Sequence, residues 1–251
     1  MRQYTRAASM ALALLIAGSG CSKTAGNNGG YSSTPDDERA ATGSVLYGDQ
    51  LTRVLQMHES YLTLITARDA VANGETDIGR ELLTEVATQP MPEGISAIWA
   101  PEVLNLHAAA GRGARAEQPE GVAQGIAEAA KSCGSCHTAT GYLPQLAGQM
   151  APPSPDTPSS LMKRHAWAAQ QLWDGLIIPS EDRWNEGAKV LAESNVSPTN
   201  LFTNEYVAEV GAARVHGLQA ATRKVVAADA WDQRAEAYGE LLHTCASCHG
   251  N

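Results

Sequence analysis

The chain has 251 residues, 27 acidic against 18 basic side chains for a net charge of −9, and is 43% hydrophobic with only 5% aromatic residues. That balance speaks against nucleic acid and anionic lipid surfaces as partners and suits basic protein surfaces. Of the five cysteines, four fall into two groups of identical spacing, and those groups decide most of what the sequence says.

Residues 1–20 have the layout of a secretory signal, with Arg2 and Arg6 in a basic start and a small, apolar run over 7–20. The run is too short to favour a spanning helix, and no later stretch reaches that length. Cys21 follows Ala17-Gly18-Ser19-Gly20 and resembles the cysteine that bacterial lipoproteins lipidate and expose as their mature N-terminus, although Gly18 stands where that signal usually has Leu. Residues 21–43, rich in Gly, Asn, Ser and Thr, cannot bury a core and predict a flexible tether. The expectation is a periplasmic, membrane-anchored lipoprotein that contacts the membrane only through a lipid at Cys21.

A first module is expected over 44–143. Leu51, Leu55, His58, Leu62 and Ile65 recur at spacings of four, three, four and three, which predicts one inward seam of a helix over about 48–72. Asn73-Gly74 stops it. A second helix is expected over about 76–87, Pro90 and Pro92 break the chain, a third helix begins near Pro101, and a fourth runs from near Pro119 to Cys133-Gly134-Ser135-Cys136-His137. Residues 144–160 hold Pro152, Pro153, Pro155 and Pro158 and read as a semi-rigid linker between independently folding halves.

The second module, 161–251, repeats the plan. It opens with Leu161, His165, Ala168 and Leu172 at seam spacing. Pro179-Ser180-Glu181-Asp182 then supplies a break, an N-cap hydroxyl and acidic residues for a helix start, predicting a helix to about 194. Helices over about 204–226 and 230–248 complete it, closing on Cys245-Ala246-Ser247-Cys248-His249. From Cys136 to Cys248 is 112 residues, from His58 to His165 is 107 and from His107 to His216 is 109, as an internal duplication would give. Ala, Leu, Glu, Gln and Arg dominate, and alternating apolar runs are missing. The expected fold is all-α: two tandem antiparallel four-helix bundles, each ending in a Cys-x-x-Cys-His group.

In such a group both thiols lie on one helix face, placed to form thioethers with the two vinyl groups of a haem, and the histidine that follows reaches the iron. The expected cofactors are two covalently attached haem c groups, at Cys133, Cys136 and His137 and at Cys245, Cys248 and His249. A thioredoxin-like dithiol should follow a strand, and these groups follow helices. A zinc site joining both cysteine pairs would ignore the two histidines.

Only Gly250 and Asn251 follow the second group, so the haem closes its module. In this the chain resembles the class II cytochromes c, the cytochrome c-prime type of four-helix bundle, and looks like a tandem pair of them. The stretches His165-Ala166-Trp167-Ala168-Ala169, Leu172-Trp173-Asp174-Gly175-Leu176 with Pro179-Ser180 and Trp184, and residues 234–249 also resemble a little-described group of exported bacterial cytochromes. The resemblance covers nearly all of 44–249 and implies that the first helix supplies the distal side of each haem. A class II site is Met-ligated or open there.

His58 and His165, on that helix in both modules, are the favoured sixth ligands of the two irons, with His137 and His249 as the fifth. His107 and His216 on the third helices are the rivals, read as second hydrogen-bonding groups. Met57 and Met162 are further alternatives, and His243 is expected in solvent. The cluster Trp167, Trp173, Trp184 and Trp231 reads as packing. Irons closed on both sides fit a one-electron carrier that docks on redox proteins with basic surfaces, and not an enzyme. The alternative is a first haem left open to bind nitric oxide or carbon monoxide, or to reduce peroxide.

Overall fold

The computed structural model describes residues 49–92, 94–142, 144, 151–194, 196–198 and 205–250; the signal, the tether and Cys21 lie outside them. The described residues hold no strand, and eight helices account for nearly all of them. In order these are α1 (Asp49–Ala72), α2 (Thr76–Thr88), α3 (Ala100–Ala114), α4 (Pro119–Thr140), α5 (Pro158–Ile177), α6 (Glu181–Glu193), α7 (Glu205–Ala227) and α8 (Trp231–His249).

Local chemistry explains the boundaries. Gly74 adopts φ +83° after α1, a conformation that glycine alone takes without strain, and Gly141 closes α4 in the same way at φ +68°. Helix α4 therefore runs three residues past His137 instead of stopping at the cysteine group. Helix α5 begins at Pro158, inside the expected linker, because Thr157 and Ser160 cap each other there and Pro sits at N1. Ser180 caps α6 by accepting from the Arg183 amide.

The first four helices alternate in direction. Arg80 on α2 donates to the carbonyl of Ala116 beyond α3, and Gly113 on α3 lies against Gly125 on α4, where any side chain would collide with backbone. In the last four, Gly187 on α6 packs on Ala168 and Leu172 of α5, while Lys224 on α7 pairs with Glu240 on α8.

Residues 46–251 make one compact unit. Its core is continuous from Leu64, Leu83 and Ile126 in the first half to Trp173, Trp184 and Tyr238 in the second. Helices α4 and α8 join the halves, with Gly239 pressed against Gln124. Arg68 reinforces the join: it reaches from α1 to Gln170 on α5 at 2.8 Å and covers the ring of Trp173 at 5.1 Å. The proline-rich stretch thus connects two halves of one core rather than two separate cores.

One expectation is inverted. Leu51, Leu55 and Leu62 are 45%, 60% and 58% exposed, and His58 is exposed with them. The buried stripe of α1 is Ser60, Leu64, Ala67 and Val71. Both stripes have helical spacing, and small residues decide between them. Ala67 and Val71 let α1 close on Gly79 of α2, which a leucine stripe would hold off. The corresponding seam of α5 is inward as expected, with Leu161, His165, Ala168 and Leu172 all buried.

Candidate haem sites

Both cysteine groups occupy the last turns of their helices, α4 and α8. The four cysteines are half-buried and free of disulfides. Burial, with the neighbouring Cys136 thiol, pushes Cys133 up to about 12; burial and Cys248 push Cys245 up to about 11. Burial also raises Cys136, with Glu102 adding to it, and raises Cys248 against the opposing pull of Arg214.

A redox dithiol needs a thiolate stabilised by a helix N-terminus or a cation. These thiols sit at the negative ends of helices and are held neutral. The two groups do not converge either, since among the described residues no three His, Cys, Asp or Glu side chains come together as a metal cage.

The two histidines that close the groups differ. His137 is buried, and its Nδ1 donates to the carbonyl of Ile177 at the end of α5, 2.8 Å away. That bond fixes the tautomer and leaves Nε2 as the lone-pair nitrogen for a metal. Burial lowers its pKa, opposed by the Ile177 bond, which keeps the ring neutral in the form a metal binds. The Tyr142 ring stands edge-on to it at 6.3 Å. His249 is exposed at the end of α8.

Helix direction places the distal candidates. Gly79 touches both Val71 of α1 and Val122 of α4, so the N-terminal half of α1 runs beside the cysteine end of α4, at the level of His58. In the second half the Trp173 and Tyr238 rings meet at 5.8 Å. His165 lies two turns before Trp173 and Cys245 two turns after Tyr238, so they too share a level.

His165 is 8% exposed, and its Nε2 is buried without a hydrogen-bond partner. Burial, and then the adjacent Arg164, push its pKa down to about 4. A buried nitrogen with no partner costs about 1–3 kcal/mol unless a ligand meets it. His58, by contrast, faces outward. His107 is half-buried and its pKa is lowered by burial. His216 is exposed, with Nδ1 3.3 Å from Gln219 Oε1. His243, expected in solvent, is half-buried and keeps an unpartnered Nδ1 inside.

The residues at both groups fit a covalent haem: paired thiols on a helix face, an oriented imidazole at His137, and a second imidazole at His165 with a buried nitrogen to give. Sequence reasoning missed the Ile177 carbonyl, since a backbone atom leaves no residue-type signal. A clue was present, however: the first group reads Cys-Gly-Ser-Cys-His and the second Cys-Ala-Ser-Cys-His. A Cβ on Gly134 would collide with the Leu176 carbonyl, so α5 can approach there only if the residue is glycine. The chain matches no family model, no curated protein and no solved structure.

Proposed function

We propose that the chain is an exported di-haem c-type cytochrome, built as two tandem four-helix bundles that share one core and acting as a one-electron carrier between periplasmic redox proteins. The observation that carries this reading is the second site, where the unpartnered Nε2 of His165 lies buried at the level of the Cys245–His249 group. Attached haem would supply an iron couple that takes up or releases one electron. The chain's part is to hold that couple covalently by two thioethers, offer imidazole nitrogens to it, and enclose it among helices that keep water out.

His137 and His249 are the proximal ligands in this reading, and His165 closes the second site. The acidic surface, net −9, suits docking on basic partners. Residues 1–20 direct export and Cys21 carries the lipid tether; among the described residues no helix is long and apolar enough to cross a membrane. Acid–acetone extraction tests the cofactor: the colour should stay with the protein, and the mass of the chain should exceed the polypeptide by two haems. Release of the colour into the solvent sinks the reading.

A second reading applies to the first site alone. Because His58 faces outward and is exposed, the first haem is five-coordinate in this reading and binds nitric oxide or carbon monoxide. The reduced, unmutated protein would then take up one carbon monoxide per chain.

A further inference from the structure

The end of each half's first helix meets the end of the other half's haem-bearing helix. Gly74, in the turn after α1, lies against Gly250 just beyond His249, so closely that any side chain on Gly74 would collide. At the opposite end of the molecule, α5 reaches the last turns of α4: Leu176 O approaches Gly134, and Ile177 O accepts from His137 Nδ1 at 2.8 Å. The two contacts differ in one respect. Only the second delivers a hydrogen-bond acceptor to an imidazole; among the described residues none meets the ring of His249.

We propose that the carbonyl of Ile177, brought by the second half of the chain, is the positioning group for His137, and that it lowers the reduction potential of the first haem. The inference rests on the di-haem reading above. An acceptor on Nδ1 draws the proton away from the ring and makes Nε2 a stronger donor, which favours the ferric over the ferrous state. Two local features hold the carbonyl in place. The amide of Ile178 donates to Asp174 O at 2.9 Å and ends α5 with its last carbonyls aimed at α4. Gly134 provides the gap they enter. A purely structural contact would need only packing between α4 and α5, whereas this one consumes the single ring proton of the proximal ligand.

The test uses the full-length, haem-loaded chain. In the reduced protein, NMR should show the Nδ1 proton of His137 exchanging with solvent at least about tenfold more slowly than that of His249, the factor given by about 1.4 kcal/mol of protection. Ile178→Pro removes the amide that orients the end of α5, and Gly134→Ala blocks the approach of Leu176. Either should abolish the slow exchange and raise the potential of the first haem, leaving the second unchanged. Equal exchange at the two histidines in the unmutated protein overturns the proposal and needs no folded variant. So does a first-haem potential that stays put in variants with full helix content, or a shift common to both haems. A chain lacking the mass of two haems fails the di-haem reading instead, and is told apart by that mass.

Discussion

Lys131 on α4 is paired with Asp232 on α8 at 3.0 Å, and Gln124, seven residues before Lys131, packs on Gly239, seven residues after Asp232. The two helices that carry the cysteine groups therefore run antiparallel, and the groups lie at opposite ends of the pair. Gly134 touches Trp231 at the start of α8, while Cys245 is fourteen residues further along. At about 1.5 Å per residue that is about 21 Å along the axis.

The first prediction is a distance. Pulsed EPR between the ferric irons should give a separation on the order of 20 Å or more, from the helical rise. Exchange-coupled irons, as stacked haems produce, would contradict the antiparallel placement.

The second concerns His165. Replacing it with Ala should turn the second haem high-spin and able to bind carbon monoxide when reduced, with the first haem's spectrum unchanged. His216→Ala should do neither, because His216 is exposed and bonded to Gln219. If the His216 variant opens the iron and the His165 variant does not, the ligand comes from α7.

Charges beside the outer cysteines should separate the two couples. Glu102 acts on Cys136 and Arg214 on Cys248, and they hold equivalent places in the two halves, 112 residues apart like the cysteines themselves. A nearby negative charge favours the ferric state and a positive one the ferrous. Glu102→Gln should raise the potential of the first haem only, and Arg214→Gln should lower that of the second only, in a spectroelectrochemical titration at low salt. Identical shifts at both haems would refute the local assignment.

The inner face of α1 can be read from stability. Leu64 is fully buried, so Leu64→Ala should cost about 2–5 kcal/mol in denaturant unfolding. Leu62 is 58% exposed, so Leu62→Ala should stay within about 0.5 kcal/mol. The reverse order would restore the leucine seam as the inward one.

A cut within 151–157 should leave both fragments together. The core crosses from one half to the other, and Arg68 bridges α1 to Gln170 and Trp173. The nicked protein should elute as one species and separate only in denaturant. Fragments that part in native buffer would show that the shared core is not needed.

By itself, the sequence determined the helices and grouped each pair of thiols with an imidazole. Gly74, Pro101, Pro119 and Ser180 mark helix ends by local backbone preference, and Cys-x-x-Cys-His sets thiols and imidazole on a helix by spacing alone, so neither needed tertiary information. The buried seam of α5, Leu161, His165, Ala168 and Leu172, lay where its spacing put it. On α1 two stripes have the same period, and only packing chose between them, with Ala67 and Val71 closing on Gly79. The same holds for what unites the halves. Periodicity is blind to which helix ends meet across 40 residues of chain, so the pairing of α4 with α8 and the carbonyl of Ile177 on His137 came only from the folded core.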